Sequence, residues 1–324
     1  IVDWAVVVNP GNPSEPETGF GAVDYVYRIS KHEVTNDQYA EFLNAVDPNG
    51  LNSLELYNSS MTTDPVGGII LEAHAADKKY RVKTGRGRNP VVYASFFDAM
   101  RFVNWLHNGQ GDGGTESGVY SIGRGVDEVR DPAARYFIPT EDEWYKAAYH
   151  KNDGVTGNYW DYPTSTDVIP YSDNPLSLNT PDNTNVANFF KDDGIENGYD
   201  GGWAVTGITS RDPGLNYLTD VGAYSLAVSP YGTYDQGGSL WEWNELSDSL
   251  ESRGLRGGDW GDLHFDLLST LRNGFIPSTE NSVYGFRIAG AIPEPQSVLL
   301  GFCFTCFIFA WGRSLTARRR STGR

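Results

Sequence analysis

Only three stretches of this chain carry a helical apolar stripe, and each opens on a capping box. Thr35-Asn-Asp-Gln38, Ser95-Phe-Phe-Asp98 and Thr140-Glu-Asp-Glu143 each place a hydroxyl where it accepts the N3 amide, with a side chain three residues on that reaches back. Behind these starts, Tyr39, Phe42, Leu43 and Val46, then Phe102, Val103, Trp105 and Leu106, then Trp144, Ala147 and Ala148 line one helical face each. The remainder is short apolar pieces set among Gly, Asn, Asp and Pro; 37 glycines in 324 residues exceed the usual share of roughly 7%. Arg28-Ile-Ser30 and Tyr136-Phe-Ile-Pro139 read as short strands or extended lead-ins. From about 150 to 230 the chain is polar and irregular, and a stretch of that length inside a compact body is functional or organised by metal. With no internal repeat and no linker before residue 291, these features predict one loop-rich domain with three helices and short strands.

Charge and sulfur divide the chain near Ile292. The whole carries 42 acids against 25 Lys and Arg, a net −17, the wrong sign for neutralising phosphates, so nucleic acid is excluded as a partner. Beyond Ile292 stand one acid, Glu294, and five arginines, 313, 318, 319, 320 and 324, a net +4 that leaves −21 to the body. Both cysteines, Cys303 and Cys306, also lie beyond the break. Residues 1–291 therefore hold no disulfide, no thiolate metal site and no cysteine nucleophile. The tail runs Pro293-Glu-Pro295, an apolar run from Val298 to Trp311, and the arginine cluster. That run predicts a C-terminal hydrophobic helix meeting the membrane at 298–312, short of the roughly 20 residues of a full span. The arginines behind it place the C-terminus in the cytoplasm and the body outside.

The order Pro-Glu-Pro, apolar run, basic end resembles the PEP-CTERM sorting signal of exported bacterial proteins. That resemblance implies an exosortase-type sorting enzyme as partner and membrane association before processing. It also implies a cell-surface or extracellular-matrix destination, and a signal peptide ahead of Ile1. In the body, six blocks in order resemble the formylglycine-generating-enzyme (sulfatase-modifying factor) family: Tyr27-Arg-Ile-Ser-Lys-His-Glu-Val-Thr-Asn36, Asn89-Pro-Val-Val with Asn104-Trp-Leu106, Ile138-Pro-Thr-Glu-Asp-Glu-Trp144, Tyr231 through Trp243, Arg256-Gly-Gly258, and Gly285-Phe-Arg287. The fold implied is α+β, an irregular C-type-lectin-like fold with few helices and short antiparallel strands. The organisation expected is a lead-in over 1–24, the family domain over 25–291 and the sorting segment over 292–324.

The family oxidises a substrate cysteine to formylglycine with two copper-binding cysteines placed between the Gly-Gly and Gly-Phe-Arg blocks. Here that segment, Asp259 to Arg272, has no cysteine, and soft thiolates are what select Cu(I); copper and formylglycine synthesis are not expected. The iron sites of related sulfoxide synthases need clustered histidines, whereas His32, His74, His107, His150 and His264 are dispersed. The resemblance implies structural Ca²⁺ held by Asp235 and Glu242 carboxylates with the Gly238 and Leu240 carbonyls, hard oxygens of the kind Ca²⁺ takes. A second site would use Asn188, the Phe189 carbonyl and Asp212. Ser239 departs from the family's usual Asn. The competing reading makes Asp235 a turn residue and Glu242 a solvated or Arg-paired carboxylate.

Trp260, Asp262, His264 and Arg272 would line a ligand groove. Trp105, Trp241, Trp243 and Trp260 are either a sugar-stacking surface or, more simply, core, and Arg256, Arg272 and Arg287 are expected to lock loops through buried carboxylates. The functional expectation is an exported, Ca²⁺-stabilised module that binds an extracellular protein or polysaccharide. The alternative is an oxidoreductase of altered chemistry, with a redox metal on Asp259, Asp262, His264 or Asp266.

Overall fold

A computed structural model describes residues 2–249, 251–292 and 323. Its elements in chain order are β1 (Trp4–Val7), β2 (Tyr27–Ser30), α1 (Asn36–Val46), α2 (Ser60–Thr63), β3 (Ile69–Leu71), β4 (Tyr80–Val82), α3 (Phe96–His107), α4 (Glu141–Tyr149), β5 (Tyr171–Ser172), β6 (Val186–Ala187), β7 (Phe190–Asp192), β8 (Gly201–Trp203), β9 (Trp241–Ser249), β10 (Ser252–Arg256), a 3-10 turn at His264–Leu267, β11 (Asn273–Phe275), β12 (Tyr284–Gly285) and β13 (Ala289–Ala291). The mixed, sheet-rich body with few helices is the one expected.

All three capping boxes form. The Thr35, Ser95 and Thr140 side chains accept the amides of Gln38, Asp98 and Glu143, whose own side chains take the cap amides in return. The four-residue α2 is too short to show a period in sequence. The expected lead-in at Tyr136–Pro139 contributes a single bridge, Phe137 to Ala289.

Two sheets organise the body. In the first, β2 lies between β1 and β13, antiparallel to both, so residues 4–7 of the lead-in complete a sheet with the last strand. The second has the order β11-β10-β9-β12. Not all strands are antiparallel: β12 runs parallel to β9, and β5 to β6. Both are two-residue pairings at which long loops re-enter, a feature that alternation in sequence does not encode.

The core is aromatic and continuous from the first sheet to the helices. Tyr27, Ile29, Tyr39, Phe42, Phe102, Trp105, Trp243 and Phe286 are all buried within it. Phe102 makes edge contacts with Phe42 and Phe286 at 5.4 and 5.5 Å, tying α1, α3 and the segment after β12 together. Residues 1–292 form one compact unit. The expected C-terminal hydrophobic helix and membrane segment lie outside the described residues. Among the described residues, no helix is long and apolar enough to cross a membrane.

Candidate functional site

Three polar centres lie where the family blocks converge. The first is built on Arg287, two residues past β12 and fully buried. Its Nε and Nη2 donate to the two Glu242 carboxylate oxygens at 2.6 and 2.7 Å, and Trp144 Nε1 donates to Glu242 at 2.8 Å. The remaining guanidinium protons reach the carbonyls of Ser30, Lys31 and Tyr234. One cation thus joins β9, β12, α4 and the strand-end at β2. Two further acids share this space. Asp235 sits at φ +60° and accepts the Gly222 amide at 2.6 Å. Burial, against that bond and the Arg287 charge, pushes its carboxyl up to about 6. Glu33, 4.0 Å from Arg287, is driven well above the ordinary carboxylate range by burial and by the charges of Asp235 and Glu242.

The second centre is a buried guanidinium lock at Arg256 joined by the partly exposed Arg272. Arg256 donates to Glu141 Oε1 at 2.6 Å and to the carbonyls of Ser269 and Leu271. Arg272 adds a 3.2 Å contact to the same carboxylate oxygen. Arg256, Arg272 and Arg287 therefore hold loops through carboxylates, as expected, and Arg272 is engaged by Glu141 within that lock.

The third centre is the segment from Asp259. Asp262 accepts the Trp241 indole at 2.7 Å and the Asp259 amide at 3.0 Å, while Asp259 accepts the Gly261 amide at 2.7 Å. Burial and then the Asp262 charge raise the Asp259 carboxyl well above its usual value. Trp260 is buried, stacked on Tyr217 at 4.8 Å with planes 8° apart. Its ring is thus a wall of the body, and Trp105, Trp241 and Trp243 are buried likewise. His264 opens the 3-10 turn with its ring edge-on to Phe265. Leu263 and Phe265 face outward at 40% and 46% exposure.

The residues expected to hold calcium are brought together only in part. Asn188 and Gly238 bridge directly, Ser239 N–H donating to the Asn188 carbonyl at 2.8 Å. The Gly238 carbonyl accepts the Leu240 amide, and the Phe189 carbonyl accepts Ser172 Oγ at 2.6 Å. The Asn188 amide donates to the Tyr217 carbonyl; Asp212 is exposed and caps the Gly214 amide. The Glu242 carboxylate takes three donors from Arg287 and Trp144, and Asp235 accepts the Gly222 amide on one oxygen. Among the described residues no group of three or more His, Cys, Asp or Glu is placed to hold a metal. A calcium ion on Glu242 would have to displace a bidentate guanidinium, so the donor set as folded does not fit a carboxylate-based cage.

Sequence reading missed the unusual state of Glu33. No alternation announces it: β2 ends at Ser30, the chain bends at Lys31 and His32, and Ser30 and Val34, of the opposite parity, are buried as well.

Residues 15–292 match the sulfatase-modifying factor enzyme 1-like domain, and the chain belongs to that family. It is similar to the serine/threonine-protein kinase Pkn1 of Chlamydia caviae, 23% identical over 280 residues that cover 81% of this chain and 32% of that protein. The Chlamydia trachomatis Pkn1 is 24% identical over 280 residues, covering 80% of this chain and 32% of its own length. The chain thus spans about a third of these relatives. Among solved structures, CarF has a TM-score of 0.50 at 19% identity, covering 90% of this chain and 99% of CarF, a likeness of fold.

Proposed function

We propose that this chain is a binding member of the sulfatase-modifying factor family, exported, with its ligand an extracellular protein or polysaccharide held at the segment from Asp259 to Ile276. The observation that carries this reading is the exchange of chemistry in that segment. No thiol stands anywhere in residues 1–291, the carboxylates of Asp259 and Asp262 are spent on local amides and an indole, and Leu263, Phe265 and Ile276 are turned to solvent. Outward apolar side chains beside acids suit a ligand with apolar and cationic or neutral groups. The tail at 298–312 serves export, by an exosortase-type enzyme, and transient membrane attachment. The test pairs two assays on the purified chain. Peptide and glycan arrays are probed with wild type and with Leu263→Ser/Phe265→Ser, and the double variant loses the signal. A cysteine-containing peptide is incubated with the copper-supplemented protein, and aldehyde formation would overturn the reading.

Calcium is the finer part of the proposal. With Glu242 held by Arg287, the oxygens left to a cation are the Gly238 and Leu240 carbonyls at the first expected site, and Asn188, the Phe189 carbonyl and Asp212 at the second. A Tm raised by millimolar calcium over EDTA supports it, and an unchanged Tm sinks it. Stoichiometric iron or copper in protein from the native host would favour the oxidoreductase reading on Asp259, Asp262, His264 and Asp266.

A further inference from the structure

Asp98 and Glu280 are two carboxyl groups set against each other with no cation between them. Asp98 is 2% exposed, and both Ser95 donors, the N–H and the hydroxyl, go to one of its oxygens at 2.8 and 2.7 Å. The other oxygen takes no N–H or O–H donor among the described residues, and it is not sealed from solvent. The Glu280 carboxyl lies within hydrogen-bond reach of this group and itself accepts a single N–H, from Asn58. Burial holds both carboxyls above their ordinary values, Asp98 at about 7. The pair thus retains a proton near neutrality where a counter-ion is missing.

Both acids line an open cleft of about 690 Å³ between the loop at 52–59, the first turns of α3 and the loop that follows β11. That volume falls inside the roughly 300–1,000 Å³ of ligand sites. The charged lining is acidic. Glu55, exposed at the rim, adds its charge to the pair and raises Glu280 further. Arg101, the cation of the lining, is turned onto Glu116 at 2.8 and 3.2 Å. The wall is otherwise polar: Ser53, Ser59 and Ser278 are exposed, and their hydroxyls make no hydrogen bond among the described residues. Phe97, partly buried, adds an apolar side.

We propose that this cleft binds a hexosamine unit of a polysaccharide, its ammonium seated on Glu280 and Asp98 and its ring hydroxyls meeting the serines. An ammonium brings three donors and no acceptor, the complement of two carboxyls short of donors, and its arrival releases their retained proton to solvent. A wall of free hydroxyls suits a polyhydroxylated ring, whereas the methylenes of a lysine side chain would find little apolar surface there. Calcium takes six to eight oxygens, and among the described residues no third acid joins the pair to hold a metal. No lining residue belongs to the Asp259–Ile276 segment, so the two sites stand or fall separately.

Isothermal titration of the full chain in EDTA with short oligomers of chitosan, chitin and cellulose tests it. The three share a backbone and carry an ammonium, an acetamide or a hydroxyl at the same carbon. Saturable binding of the chitosan oligomer alone is expected, weakened at least ~10-fold by Glu280→Gln, the size of a lost charge-assisted hydrogen bond. The Gln side chain can keep the Asn58 bond and offer Asp98 a donor. Should that variant not fold, the exposed rim decides: Glu55→Gln weakens binding by ~2–5-fold, the size of an exposed ion pair. Glu196→Gln, exposed and outside the cleft, leaves binding unchanged. Absence of saturable binding, equal binding of the chitin or cellulose oligomer, or indifference to the cleft substitutions overturns the proposal. So does a loss in Glu196→Gln as large as in Glu280→Gln, which would mark diffuse charge attraction. Nα-acetyl-lysine amide binding as tightly as the chitosan oligomer overturns it too, in favour of a protein's cation.

Discussion

Arg287→Met leaves Glu33, Asp235 and Glu242 buried together without their cation. Removing one partner of a buried ion pair costs about 3–5 kcal/mol, and Arg287 also satisfies three backbone carbonyls. At roughly 2 cal/mol/K of unfolding entropy per residue, the 292-residue unit converts this into a Tm lowered by about 5–8 °C. The deficit depends on pH. Burial raises the Asp235 carboxyl to about 6 and Glu33 well above the carboxylate range even against the Arg287 charge, and loss of that charge raises both further above their unfolded values. A carboxyl raised in this way contributes fully below the unfolded pKa and loses stability as pH rises through the folded one. The variant's deficit is therefore largest above neutrality and shrinks on acidification towards pH 5. Urea denaturation across that range measures it. The double variant Arg287→Met/Glu242→Leu recovers much of the loss, because two apolar groups replace a broken pair. A pH-independent deficit, or a double variant no better than the single, would refute the assignment of Arg287 as the counter-charge of this centre.

Three further outcomes are expected. Asp98, raised to about 7 chiefly by burial against the Ser95 hydrogen bonds, should titrate near neutrality by carboxyl NMR; a midpoint in the ordinary aspartate range contradicts its environment. Thr35→Ala removes the N-cap acceptor of Gln38 N–H and lowers urea-determined stability by about 1 kcal/mol, with no change if the box is ornamental. Gly238→Ala puts a Cβ 2.3 Å from the Asn188 carbonyl at φ +79°. It costs about 1–3 kcal/mol for the conformation alone and more for the clash, and wild-type stability in this variant would show that the Asn188–Gly238 bridge is not as described.

What the sequence made legible is local chemistry. A Thr or Ser three residues before Gln, Asp or Glu specifies its own partner, and all three boxes form. The arginines of Arg256-Gly-Gly and Gly-Phe-Arg were readable as loop locks, but their carboxylates were not, since Glu141 and Glu242 stand 115 and 45 residues away and only closure of the fold chooses them. Glu242 as an Arg-paired acid was one of three readings open, beside a calcium ligand and a solvated carboxylate, and geometry selects it. Trp260 falls in the segment where the resemblance puts a groove, with core the simpler reading; the Tyr217 ring that covers it comes from the irregular 150–230 stretch, where no period announces a partner. The orphaned state of Glu33 is beyond sequence altogether. It depends on every proton of Arg287 being taken elsewhere.

The placement of β2 between β1 and β13 has a kinetic consequence. Ser30 Oγ accepts the Ile288 amide across 258 positions, and Arg287 closes on carbonyls of Ser30 and Lys31 over nearly the same span. Contacts of such separation must overcome loop-closure entropy before they contribute, which places this body among slow folders. A ribosome or a membrane channel that delivers the chain from its N-terminus therefore releases nearly the whole body before its first sheet can close. Until residues 287–291 emerge, β2 has a bare edge and Glu242 has no cation. The interval between delivery and closure is when this protein is open to chaperones, to proteases and to pairing with another copy of itself.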